Sequence, residues 1–525
     1  GLAGDRESKA MAAEKGWVGS ASVIGACTLG SRVLGLARDV LMAAYFGTGA
    51  AMDAFVLAFM APNLFRRLFG EGAVTSAFIP VFTQAALREG PRGAERYFRA
   101  CFTALTVLLW GVALAGGVVC AVAPRWFDLN ETWRLFFPLL SAMFPFMPLV
   151  CLTALVSAAL NVKQRFFAAA SSPALMNVFW ILALVLGARV WGVWAVAVAV
   201  VLSAATQLGW LLWDLRRTGI RPGLDWDWRQ SNVSRTVKLV GPMVAGLAVT
   251  QVNVMVDGLI AQFCVPGDGA NSALYYANRL MQFPLGVIGV ALGTALFPML
   301  SVKAAKGDLA GMGAAAGQGM RMTLFVTLPV TALTLALARP IVEVILRRGS
   351  FDETSASRTA WALALYTVGL AAYCANQVLT RVFHARQDSK TPVKVGLWMT
   401  GLNLGLNLAL VWPLREAGLA LSTAVCGFVN AGVMAWLLKK REVAIDGGEV
   451  ARCAVWSGLA SAACGAAAWG LCEALAGTPA LARLAAPMAA GGVVYAAAAP
   501  RMREWKEIVA EMGRKRGGAR TPAGR

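Results

Sequence analysis

Residues 30–39 read Gly30-Ser31-Arg32-Val33-Leu34-Gly35-Leu36-Ala37-Arg38-Asp39, three charges inside a run otherwise apolar enough to cross a bilayer. Asp53, Arg66 and Arg279 recur in similar settings farther along the chain. A charge at the centre of a membrane helix costs at least about 2.5–3.5 kcal/mol on insertion scales. Such residues normally face a polar cavity or a partner, so they are the first candidates for function. Arg32 and Asp39 are seven apart and share a helix face. Gly30 and Gly35 flank Arg32, so a kink or local unwinding is expected there.

The rest of the chain has the same character. Of 525 residues, 58% are hydrophobic and only 14% charged, where soluble domains carry roughly 25% charged residues. Apolar runs of about 20 residues alternate with short polar loops, the pattern of a polytopic helical membrane protein. The alternating segments of a membrane β-barrel are not seen. We therefore expect an all-α polytopic membrane protein with about 14 transmembrane helices. The first, second and seventh spans begin near Trp17, Met52 and Val233.

The net charge of +20 would suit nucleic acid, but the placement of the charges argues against it. Most Lys and Arg fall in alternate loops and in both tails, which puts both termini in the cytoplasm by the positive-inside rule. The basic tail is expected to meet anionic membrane lipids. Residues 1–16 are polar and of mixed charge, so no signal peptide is expected, and Met11 is read as the natural start. The ten cysteines are scattered singly without a CxxC pair, which suits small apolar packing rather than disulfides or metal.

The longest hydrophilic connection, 214–238, divides the first twelve spans into two sets of six. Asp53-Ala54-Phe55 and Ala77-Phe78-Ile79-Pro80 in the first set echo Ser272-Ala273-Leu274 and Ala295-Leu296-Phe297-Pro298 in the second. Six spans per half leave both copies in one orientation, a parallel repeat of the kind found in secondary transporters. The expected organisation is a tail 1–16, an N-lobe 17–215, a linker 216–232, a C-lobe 233–441, two further helices in 442–503 and a basic tail 504–525. The last pair is rich in Ala and Gly, which permits close helix approach. It is expected to pack, or to shape a groove for an apolar tail.

Two polar constellations stand out. Ser272, Tyr275, Arg279 and Gln282 form a stripe at three- and four-residue spacing on one helix, and Asn63, Arg66, Arg67 and Glu71 cluster at the end of the second span. Snorkelling at a membrane end accounts equally for Arg66 and Arg67, and a buried ion pair for Arg32 or Arg279. The arginines outnumber the acids within these spans, however, and surplus buried cation calls for an outside anion. The guanidinium fork suits phosphate, and several forks suit a diphosphate. The second constellation is Asp257, four residues after Asn253, with Asn403, Asn407 and Thr423. Oxygen ligands with one carboxylate would hold Na⁺; interhelical hydrogen bonding explains the same residues. His384 is the only histidine, and no GxSxG, P-loop or HExxH pattern occurs. Enzyme chemistry and an organic cofactor are therefore not expected.

These residues resemble the MurJ/MviN family of lipid II flippases, within the multidrug/oligosaccharidyl-lipid/polysaccharide exporter superfamily. The likeness lies in 31–39, Asp53-Ala54-Phe55, Pro62-Asn63-Leu64-Phe65-Arg66-Arg67, Glu71-Gly72-Ala73, 275–284 and 386–394. The resemblance implies export of lipid II, an undecaprenyl-diphosphate-linked disaccharide-pentapeptide, across the bacterial inner membrane by alternating access through a central cationic cavity. It implies a lipid-tail groove in 442–503. It implies substrate contacts at Arg32, Arg38, Asp53, Arg66, Ser272 and Arg279, with gating or coupling at Asp39, Asn63, Glu71, Asn278 and Gln282, and a Na⁺ site at Asp257, Asn403, Asn407 and Thr423. Relatives carry acids where this chain has Asn278 and Gln282, so its cavity is expected to be more positive. A monomer is expected. The alternatives are a related polysaccharide-lipid exporter or drug/ion antiporter, and a membrane enzyme acting on lipid-linked sugars.

Overall fold

The computed structural model describes residues 27, 30–126, 130–227 and 231–518. Among them every regular element is helical. The chain divides into two compact units, residues 1–259 with 348–351, and residues 260–347 with 352–525. The boundary falls inside a long helix, and the connection 216–232 lies in the first unit.

The first unit contains α1 (30–46), α2 (Ala50–Phe65), α3 (Val74–Arg88), α4 (Gly90–Val122), α5 (Glu131–Met143), α6 (Phe146–Val162), α7 (Phe167–Trp191), α8 (Val193–Arg216) and most of α9 (Ser231–Cys264). Its core is built from alternate faces of α3, α4, α6 and α8, with Phe78, Phe82, Tyr97 and Phe98 fully buried. Phe78 stacks on Tyr97 at 5.4 Å between centroids. The Tyr97 hydroxyl lies 2.5 Å from Thr236 Oγ1 on α9. The connection after α8 lies along α4: Arg99 Nε donates to Arg221 O at 2.9 Å, and the Asp225 amide donates to Thr103 Oγ1 at 2.8 Å. The short segment 348–351 docks at the end of α1, where the Ser350 amide donates to Ala44 O at 2.8 Å. Gly349 there has φ +57°, and a Cβ on it would lie 2.2 Å from Ala44 O. Only glycine fits that approach.

The second unit continues with α10 (Ala270–Pro284), α11 (Val290–Ala305), α12 (Leu309–Ala336), α13 (Ala338–Leu346), α14 (Glu353–Val368), α15 (Leu370–Ala385), α16 (Lys390–Leu414), α17 (Glu416–Lys440), α18 (Gly447–Ala474), α19 (Ala480–Ala498) and α20 (Arg503–Gly518). Asp308, Asp352 and Asp446 cap α12, α14 and α18 by accepting backbone amides, as short polar side chains at helix N-termini do.

The internal repeat is visible in the backbone. α2 passes into a π-helical segment, Arg66–Ala73, before α3; α10 passes into another, Leu285–Gly289, before α11. The spacing between the two copies is constant to within two residues from helix start to π segment. Pro62 and Pro284 precede the segments. A proline cannot donate to the helical ladder and its ring crowds the carbonyl four residues back, which loosens the turn that precedes it.

Among the described residues ten helical segments are long and apolar enough to cross a membrane, or eleven if α14 and α15, bent by 42°, form one span. Of the fourteen expected, those beginning near Trp17, Met52 and Val233 are not among them. The first lies partly outside the described residues, and the other two carry side chains outside them, at 70–74 and between 242 and 250.

The polar motif 386–394 closes the turn between α15 and α16. Asp388 accepts from the Thr391 amide at 3.0 Å and hydroxyl at 2.7 Å, and from Arg441 at the end of α17. Partial burial alone would raise the Asp388 carboxyl. The Thr391 hydrogen bonds and the Arg441 guanidinium outweigh it and bring the pKa from 3.8 to about 2. A carboxyl depressed on folding adds stability that is complete above its unfolded value, and that is lost as pH falls toward the folded value. Asp388→Asn is therefore expected to lower the melting temperature of the purified protein near neutral pH. The difference from wild type should shrink as pH falls from about 4 toward 2. A difference independent of pH would assign the clamp to shape rather than charge.

Candidate functional site

The charged stretch 30–39 lies on α1, and its two arginines have different surroundings. Arg32 is exposed and forms no ion pair among the described residues. Arg38 is only 5% exposed. Its Nε and Nη2 donate to Asp39 Oδ1 at 2.9 and 2.7 Å, and its Nη1 donates to Asn177 Oδ1 on α7 at 2.9 Å. The guanidinium carbon lies 4.7 Å from the Trp180 ring centroid. The Asn177 amide donates in turn to Ser31 O at 3.0 Å. Buried charge survives when its donors are this fully matched. Asn177 and Trp180 were not picked out from the sequence; the only signal was an amide inside an apolar helix.

Asp53 is 1% exposed and sits in the first turn of α2. Free amides and the helix dipole favour a carboxylate there. Thirteen residues on, Arg66 Nε donates to Asn63 Oδ1 at 2.8 Å, and Arg67 Nη1 donates to Gln251 Oε1 on α9 at 3.2 Å. Both arginines are half-buried at the start of the π segment. Extra-wide turns of this kind recur at functional sites. Glu71 belongs to the same segment, but its side chain lies outside the described residues.

In the second unit the predicted stripe grades from buried to exposed along α10. Ser272 is fully buried, its hydroxyl donating to Gly269 O at 3.2 Å. Arg279 is exposed, with its guanidinium carbon 5.2 Å from the Tyr275 ring. Gln282 Nε2 donates to Asn278 Oδ1, so these two neutral side chains satisfy one another beside the arginine. α15 adds a residue that the sequence reading passed over. Arg381 is half-buried, lies 5.6 Å from the Phe297 ring and closely approaches Gly293 on α11. It forms no ion pair among the described residues. Its signal was the same as that of Arg32, a charge inside an apolar helix.

The expected cation ligands fall in both compact units. Asn403 Nδ2 donates to Ser422 Oγ at 2.9 Å, tying α16 to α17, and Asn407 Nδ2 donates to Asn403 Oδ1 one turn back on α16 at 3.1 Å. Thr423 turns its hydroxyl to Leu419 O on its own helix. Asp257 belongs to the other compact unit, where its neighbour is Asn253 at 3.5 Å.

With this geometry in place, the likeness to known proteins can be weighed. A family profile described as lipid II flippase MurJ matches residues 42–478. The probable lipid II flippase MurJ of Rhizobium tropici is 34% identical over 419 residues, covering 78% of each chain.

The chain belongs to the MurJ family of lipid II flippases.

The lipid II flippase MurJ of Burkholderia cenocepacia is 33% identical, over 79% of this chain and 82% of its own. A MurJ structure in an inward closed conformation superposes with a TM-score of 0.78 at 22% identity, covering 93% of this chain and 99% of that one. An inward-facing multidrug transporter of the MATE family superposes with a TM-score of 0.65 at 13% identity, over 78% and 94%. The last two show the fold alone. MurJ membership makes this chain a multi-pass membrane transporter rather than an enzyme. The profile match begins after Arg32, Arg38 and Asp39, so those residues rest on their own geometry.

Proposed function

We propose that this MurJ-family chain moves lipid II from the cytoplasmic to the periplasmic leaflet of the bacterial inner membrane by alternating access. The observation that carries the chemistry is an exposed arginine on a helix of each compact unit, Arg32 on α1 and Arg279 on α10. An exposed guanidinium at membrane depth offers a bidentate fork to a diphosphate. Arg66 and Arg381 stand as further anion contacts. Arg38 has another part: its donors are taken by Asp39 and Asn177, so it fixes α1 against α7 and thereby sets Arg32. Asp53 and Ser272, buried at the starts of matching helices, shape the backbone there. Both termini face the cytoplasm and the chain works as a monomer. Asn403 acts as an interhelical tie supported by Asn407, and the proposal requires no Na⁺.

The purified protein in liposomes should make lipid II accessible to a membrane-impermeant probe added to the opposite side. It should do so without polymerising it. Failure to translocate lipid II, combined with export of a polysaccharide lipid or an organic cation, would favour the related exporters instead. The exposed Arg32 and Arg279 argue against a drug-cation antiporter, whose cavity should be acidic.

A further inference from the structure

A cavity of about 530 Å³ opens where α12, α18 and the junction of α19 with α20 meet. It lies entirely within the second unit. Along α18, Arg452, Trp456 and Leu459 fall at four- and three-residue spacing and share one face. Trp456 and Leu459 are each 61% exposed. Arg501 closes the rim from the end of α19, its Nη1 donating to Ala497 O at 3.2 Å. The charges at this cavity do not cancel. Glu449, Glu504 and Glu507 surround the buried Arg321 at 2.5, 3.4 and 3.5 Å. Glu449 and Glu507 also pair with Arg503. The acids are thus engaged by two arginines, while Arg452 and Arg501 form no ion pair among the described residues. Arg321 is 7% exposed and lines the cavity, and its Nε has no hydrogen-bond acceptor among the described residues.

We infer that this cavity binds the headgroup of an anionic bilayer phospholipid, distinct from the transported substrate. Arg452 and Arg501 take the phosphate at the rim, and the first methylenes of the chains lie over Trp456 and Leu459. The size is that of an ordinary ligand pocket. Cations above an apolar stripe at a helix end match a lipid at the membrane surface, where each basic side chain adds attraction to anionic headgroups. A free phosphate would gain nothing from Trp456 and Leu459, which is why the lipid is the occupant we assign. A bound lipid would also hold α20 against α18, because Arg501 directly precedes that helix.

The test uses full-length protein in detergent, titrated with phosphatidylglycerol, phosphatidylcholine or soluble glycerol phosphate while its melting temperature is followed. Phosphatidylglycerol is expected to raise the melting temperature saturably, and the other two to leave it unchanged. In R452Q/R501Q the concentration needed should rise at least tenfold, with the lipid-free melting temperature unaltered. K439Q/K440Q, which removes two cations from the end of α17, should respond as wild type does. An equal response to phosphatidylcholine, or an unchanged response in R452Q/R501Q, overturns the site. A full response to glycerol phosphate would make it a site for free phosphate and overturn the lipid assignment.

Discussion

Arg279→Ala is expected to lose roughly 30-fold or more in lipid II translocation while the protein still folds and reaches the membrane. The figure follows from removing one member of a desolvated charge contact, about 2–5 kcal/mol, at about 1.4 kcal/mol for each factor of ten. The fold should tolerate the change because Arg279 is exposed and rests on Tyr275. Exposed substitutions of this kind usually stay within about 0.5 kcal/mol of wild-type stability. Arg279→Lys keeps the charge without the fork and should fall between wild type and alanine. The neighbours offer an independent check. Asn278→Asp with Gln282→Glu would place carboxylates beside the guanidinium, compete with the diphosphate and weaken translocation. The measurement is rescue of a flippase-depleted bacterium, with the same variants compared in liposomes. Wild-type export by Arg279→Ala would remove this arginine from substrate binding.

The membrane class and the repeat were legible because both are written in local patterns. Hydropathy over some twenty residues marks a span whatever it later packs against. Pro80 and Pro298 kept their register with Asp53 and Ser272 through both copies. The π segments were not legible. They lie just after Pro62 and Pro284, and a proline in a span announces a disturbance without naming its form. Charge cost was legible and charge partnership was not. Arg38 meets an amide 139 residues away, and Arg321 meets an acid 128 residues away. Nothing near either arginine in sequence marks that partner. Arg32 and Arg38 therefore read alike, although one is exposed and the other is enclosed.

That contrast yields the second large effect, an expected loss of about 3–5 kcal/mol of stability in Arg38→Ala, the range for breaking a buried ion pair from one side. The Asp39 carboxylate would remain buried without its guanidinium, and Asn177 would lose its donor from α1. Removing Asp39 as well takes the stranded charge away. The double variant should therefore recover part of the loss, with a coupling of about 0.5–3 kcal/mol between the two positions. Asn177→Ala should cost about 1–3 kcal/mol, the usual result of leaving a buried polar partner unsatisfied. Arg32→Ala, six residues earlier on the same helix, should melt as wild type does and fail only in transport. Thermal unfolding of the four purified variants beside their translocation rates separates the two roles. If Arg38→Ala keeps its melting temperature and loses transport alone, Arg38 contacts the substrate, and the tie to α7 is incidental. If it loses both while Arg32→Ala loses only transport, the pair divides the work: one arginine holds the helix in place so that the other meets the diphosphate.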